Sequence, residues 1–320
     1  MSKVIAVLTS GGDAPGMNAA IRGVYGRAAQ LGFKVIGIRD GYTGLLREDM
    51  AELKYEDVER IIPMGGTVLG TSRCLEFHKE EVQKQAADIC RKHGISAVVV
   101  IGGDGSFQGA LRLYQQGINV VGIPGTIDCD IPCTEYTIGF DTAVNAALES
   151  IDRIHDTARS HKCYSIVEVM GRRAGYIAMW CGISASASGI LIPEDKNPGS
   201  IVEQLRNKKK KSGVIVLAEG CGKACDLAPV LEKELGVHTR HDVLGFLQRG
   251  GSPTARDRVC GSRMGAFAVD LIERGESCHV VALNHGQLEG LPIEKALSIE
   301  HSFPKWLTDL GTVITTDTTI

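Results

Sequence analysis

Four short stretches of this 320-residue chain set glycines or carboxylates directly after apolar runs. The first is Thr9-Ser10-Gly11-Gly12-Asp13-Ala14-Pro15-Gly16-Met17-Asn18. Its small residues let the backbone approach a polyanion, and a helix that follows directs free N–H groups toward it. The second, Ile101-Gly102-Gly103-Asp104-Gly105-Ser106, places a carboxylate among glycines, a donor able to hold Mg2+ against phosphate oxygens. The third, Pro124-Gly125-Thr126-Ile127-Asp128-Cys129-Asp130, adds two more acids. Cations come from Arg73, in Gly65-Gly66-Thr67-Val68-Leu69-Gly70-Thr71-Ser72-Arg73, and from Arg172 in the fourth stretch, Val167-Glu168-Val169-Met170-Gly171-Arg172-Arg173-Ala174-Gly175. A metal site, a base and cations are the parts that phosphoryl transfer requires.

Each motif taken singly has a plainer reading. The first matches neither GxGxxG nor GxxxxGK[ST] and alone is no more than a tight turn. Asp104 serves equally well as a helix cap, and NAD kinases and lipid kinases also carry Gly-Gly-Asp-Gly. A lone arginine is usually a surface residue. The Lys208 to Lys211 run reads as a solvated helix end, with anion binding as the alternative. Cys129 with Cys133, and Cys221 with Cys225, lack CxxC spacing and a histidine partner, so the ten cysteines read as reduced thiols rather than metal ligands.

The elements that position these stretches are legible in the hydrophobic pattern. Val4 to Leu8, Val35 to Ile38, Ala97 to Ile101, Val120 to Ile123, Ile166 to Val169, Val214 to Leu217 and Val280 to Leu283 read as buried parallel strands. Helical patterns lie between them at Met17 to Leu31, Glu80 to His93, Ser106 to Gln116 and Thr142 to Arg159. The fold class is doubly wound α/β, which binds ligands at the carboxyl ends of its strands. A hydrophobic content of 43% supports one large domain or two ordinary ones. Net charge of −3 without a basic face argues against nucleic acid. No signal peptide and no apolar run of about 20 residues is present, so no membrane partner is expected and the cytoplasm is the expected location.

The six segments LTSGGDAPGMNAAIRG, GGTVLGTSR, IGGDGS, PGTID, VEVMGR and LGFLQRGGSP, in this order and spread over nearly the whole chain, resemble the bacterial ATP-dependent 6-phosphofructokinase family (phosphofructokinase A). The resemblance implies two α/β lobes with largely parallel sheets, residues 1–140 plus 248–300 for ATP and 141–247 plus 301–320 for the sugar phosphate, with the active site in the cleft between them. It implies a homotetramer with the sugar-phosphate site at a subunit interface, and an Mg2+-dependent glycolytic kinase whose substrates are ATP and fructose 6-phosphate. By the same resemblance Gly12, Arg73, Cys74, Gly103, Asp104, Gly105 and Ser106 hold ATP, Asp104 serves Mg2+, and Asp128 is the base, with Arg172, Arg73 and Thr126 assisting. Thr126, Asp128, Met170, Gly171, Arg172, Glu219, Arg240, Phe246 and Arg249 surround the sugar phosphate. Gly105 and Gly125 stand where pyrophosphate-using relatives resemble GGDD and PKTID, so the donor reads as ATP.

The sequence departs from the family where the sugar 6-phosphate is held. Cys163 stands in place of an arginine and Phe246 in place of a histidine. At about 1.5–3 kcal/mol for each hydrogen bond to a charged group, their loss weakens binding by about 3–6 kcal/mol unless compensated. Lys162 is next in sequence, but on a strand its side chain faces the other way. Gly26, Tyr55 and His155 replace arginines of the family's effector pocket, which predicts weak or absent control by nucleotide diphosphate or phosphoenolpyruvate. Cys129 replaces an asparagine. A kinase for another sugar phosphate, and a non-catalytic regulatory paralogue, stay open beside the leading reading.

Overall fold

The seven apolar runs all form strands, and they do so because each is buried on both faces of a sheet. The computed structural model describes residues 3–195, 200–208 and 211–316. Of the lysine run, Lys209 and Lys210 lie outside the described residues. Lys211 donates to the carbonyls of Leu205 (3.1 Å) and Arg206 (2.5 Å), the solvated helix end that the sequence suggests.

The chain divides into two compact units. The first comprises residues 1–127, 131–141 and 249–301. Its strands are β1 (Val4–Thr9), β2 (Lys34–Ile38), β3 (Met50–Glu52), β4 (Ile95–Gly102) and β5 (Asn119–Pro124), then β10 (His279–Asn284) and β11 (Gln287–Pro292). The second comprises residues 128–130, 142–248 and 302–320. It holds β6 (Tyr164–Val169), β7 (Gly189–Leu191), β8 (Gly213–Ala218) and β9 (Thr239–Val243).

The first sheet runs β11-β10-β5-β4-β1-β2-β3. Its five inner strands are parallel, and β3 and β11 close the two edges antiparallel. The second sheet, β7-β8-β6-β9, is parallel throughout. Both are thus largely parallel α/β sheets. Parallel strands require crossover helices, and these carry the expected apolar stripes. Helix Asp104–Gln115 buries Phe107, Ala110 and Leu113, and a fully buried Phe or Leu side chain stabilises by about 1.5–3 kcal/mol.

The helices Met17–Gln30 and Ala255–Glu273 cross at backbone contact in the first unit. A Cβ on Gly265 would lie 2.2 Å from the Ala20 carbonyl oxygen, and one on Gly23 would lie 2.3 Å from that of Ser262. Beside this crossing sits the fully buried carboxylate of Asp257. It accepts from the Tyr136 hydroxyl at 2.6 Å and from the Gly139 N–H at 2.7 Å. Burial and the Asp257 charge push the Tyr136 phenol far above its ordinary value, so it remains a donor.

Strands β3, β7, β9 and β11 carry no pattern that identifies them. β3 and β7 have three residues each, β9 is a mostly exposed edge of polar composition, and β11 is an edge strand with no fully buried residue. Lys162 is not on a strand. It occupies a left-handed turn (φ 52°) before β6, so the expectation that strand alternation turns it away has no basis. All ten cysteines are free. Burial raises the thiols of Cys90 and Cys181 to about 12, which keeps them protonated. Among the described residues no helix is long and apolar enough to cross a membrane.

Tyr136→Phe removes a hydrogen bond to a buried charge and should lower the unfolding free energy by about 1.5–3 kcal/mol, read by urea denaturation. An unchanged midpoint would remove this contact from the stability of the first unit.

Candidate active site

In the first unit, three loops follow the carboxyl ends of adjacent strands β1, β4 and β5, and backbone hydrogen bonds continue across them. Ser10 N–H donates to the Ile101 carbonyl and Gly125 N–H to that of Gly102, both at 3.0 Å. The Ser106 hydroxyl donates to the Ser10 carbonyl at 3.0 Å. These bonds hold Gly12 and the Gly103–Ser106 loop side by side. A Cβ on Gly103 or on Gly105 would meet no atom within 4 Å, so both glycines face open space. Gly125 differs, because a Cβ there would press on Ile101 and Met17 at 3.0 and 3.1 Å. Its missing side chain serves packing.

Arg73 reaches the same edge because buried polar groups tie its loop down. The fully buried Asn18 accepts from the Val68 N–H at 2.8 Å and donates to the Met64 carbonyl at 3.1 Å. Thr9 donates to the Gly70 carbonyl at 2.6 Å, and Thr71 to that of Gly11 at 3.0 Å. Arg73 is exposed and Cys74 partly so. Arg249 also belongs to this unit: its guanidinium lies over Gly12 and donates to the Asp13 carbonyl at 2.7 Å. Thr126 lies near the start of the third loop, where its carbonyl accepts from the Thr137 hydroxyl at 2.6 Å.

Asp104 opens helix Asp104–Gln115 and is exposed. Among the described residues no three His, Cys, Asp or Glu side chains group to hold a metal ion. Mg2+ usually takes one or two carboxylates and completes its shell with water and substrate phosphates. An exposed carboxylate between two open glycines suits that mode of binding.

Asp128 to Asp130 belong to the second unit. The Asp128 carboxylate is fully buried and lies 3.3 Å from Nε of Arg172, whose side chain is 50% exposed. Arg172 follows β6 in a left-handed conformation (φ 52°), and Cys129 adopts the same region (φ 53°). Non-glycine residues there cost about 1–2 kcal/mol each, and such strain concentrates at functional sites. Glu219, just after β8, accepts from the N–H groups of Gly171 (3.2 Å) and Arg172 (2.7 Å). Asp128, Met170, Gly171, Arg172 and Glu219 therefore form one cluster.

Arg240 and Phe246 stand elsewhere in the unit. Arg240, on β9, lines a pocket of about 580 Å³ with Cys163, Ser165 and Arg153. Cys163 is buried there, and Phe246 is 80% exposed on the short helix Gly245–Gln248. Two residues escaped the motif reading, Asn18 and the fully buried Gln248. Both sit inside the recognised segments, and only an amide within an apolar or glycine-rich setting hinted at them.

Comparison with known proteins identifies the family. The family model described as Phosphofructokinase matches residues 4–272. An ATP-dependent 6-phosphofructokinase of Clostridium botulinum (strain Loch Maree / Type A3) is 47% identical over 316 residues, 98% of this chain and 99% of the relative. One from Clostridium tetani is 50% identical over 312 residues, covering 96% and 98%. A phosphofructokinase structure from Saccharomyces cerevisiae superposes with a TM-score of 0.86 at 33% identity, covering 98% of this chain, which spans only 47% of that longer chain. A pyrophosphate-dependent phosphofructokinase from Marinobacter aquaeolei shares the fold at 22% identity, with a TM-score of 0.86 over 99% of this chain and 92% of that one. The chain belongs to the phosphofructokinase family.

Asparagine tolerates the left-handed region that Cys129 occupies, so Cys129→Asn should stabilise the protein by up to about 1 kcal/mol, visible as a raised melting temperature. A lowered one would show that packing of the thiol outweighs relief of the backbone.

Proposed function

We propose that this chain is an ATP-dependent 6-phosphofructokinase, moving the terminal phosphoryl group of ATP to the 1-hydroxyl of fructose 6-phosphate. The observation that carries the reading is the buried Asp128 carboxylate paired with a half-exposed Arg172, in a chain 47% and 50% identical to relatives of that name. Asp128 takes the hydroxyl proton, and the Arg172 guanidinium beside it supplies a counter-charge. Arg172 also offers a guanidinium to the charge that develops on the transferring group. The first unit carries ATP: the glycine loops present N–H groups to its phosphates, Arg73 adds a cation, and open Gly105 leaves room for the nucleotide. Asp104 is the residue that would hold Mg2+, which when bound neutralises phosphate charge. The second unit carries the sugar phosphate, the protein works in the cytoplasm, and the assembly is a homotetramer, to be checked by light scattering.

Asp128→Asn should lower turnover by about 10²–10⁴-fold with the fold intact, measured as ADP release with ATP, Mg2+ and fructose 6-phosphate. A fully active variant would take the base role away from Asp128.

A second reading rests on Cys163. Its pocket contains Arg153 and Arg240 but lacks a guanidinium at position 163, which suits an acceptor with a different distal group. A panel of sugar phosphates and free sugars separates the two. Highest kcat/KM with fructose 6-phosphate supports the first reading, and highest efficiency with another acceptor supports the second.

A further inference from the structure

We propose that Gln248 is a positioning residue for the reaction, clamping the Met170–Arg172 turn together with Glu219 and thereby holding the Arg172 guanidinium on Asp128. This rests on the phosphoryl-transfer reading given above. Gln248 closes the short helix Gly245–Gln248 after β9 and is fully buried. Its Oε1 accepts from the Met170 N–H and its Nε2 donates to the Gly245 carbonyl, both at 3.2 Å. One buried amide thus ties the end of β6 to the turn that follows β9.

A buried amide costs desolvation that a methionine of similar size would avoid. Its retention here is accounted for by what its two ends hold. The N–H groups of Met170, Gly171 and Arg172 go in succession to side-chain oxygens, the first to Gln248 and the next two to Oε1 of Glu219. Gly171 (φ 132°) permits no Cβ, which would lie 2.6 Å from the Ala174 carbonyl oxygen, and Arg172 follows at φ 52°. Regular secondary structure does not set this backbone. Two side chains do, and the Arg172 side chain leaves it for Asp128, 3.3 Å away. Displacement of a catalytic group by about 1 Å can cost about 10²-fold in rate, so a loosened turn acts on chemistry rather than on nucleotide affinity.

The test is a double-mutant cycle on kcat. Gln248→Met should lower kcat by about 10–100-fold with KM for ATP changed less than about twofold. In an Arg172→Ala background the same substitution should cost less than about threefold, because its effect passes through Arg172. If Gln248→Met does not fold, Gln248→Asn carries the cycle, since it keeps the amide one methylene short. Losses that multiply independently, or a lowered melting temperature with unchanged kcat, would overturn the clamp while leaving the kinase reading standing. A wild-type protein that turns over no acceptor would end both.

Discussion

A carboxylate taken out of water needs a counter-charge at close range, and in the second unit that need falls on Arg172. The guanidinium has to meet Asp128 and still keep half its surface available to a ligand. An arginine on β6 itself would have its direction fixed by strand alternation. Placing it just beyond the strand, on a left-handed turn, frees that direction at the cost of backbone strain. The strain then has to be offset locally. Hence the carboxylate of Glu219 and the amide of Gln248 are spent on backbone N–H groups, and Gly220 is needed where the Arg172 carbonyl passes. A Cβ on Gly220 would lie 2.3 Å from that oxygen.

The first unit solves a related problem with neutral groups. Its loops must stay open above glycines that have no side chains to hold them. Thr9, Asn18 and Ser106, all buried, supply the hold from below through bonds to loop backbone. Rigidity therefore resides beneath the loops and accessibility above them. An apolar residue at any of these three positions would preserve volume and lose the loop's anchor, leaving backbone groups to find water instead.

Most of the architecture was legible because parallel strands buried on both faces leave continuous apolar runs such as Val98–Ile101, and because crossover helices such as Asp104–Gln115 carry an apolar stripe. Of the candidate residues, the sequence singles out those whose type phosphoryl transfer would demand: Asp104, Asp128, Arg73 and Arg172. What escaped shares a physical cause. β9 has one buried residue in five, so no periodicity marks it. Asn18 and Gln248 act through backbone groups of other segments, and backbone partners leave no trace in side-chain spacing. Lys162 defies the alternation argument because it precedes β6 (Tyr164–Val169) in a left-handed turn, which side-chain types do not announce.

The margins of the two sheets carry a consequence for life at high protein concentration. β3 and β7 are too short to template a foreign strand, β11 ends in Pro292, and β9 presents Arg240, His241 and Asp242 to solvent. Unpaired edges are where chains recruit one another into aggregates, and short, charged or proline-terminated edges are what discourage it. The same polar composition that hides β9 from pattern reading thus also makes it a poor template for a foreign strand.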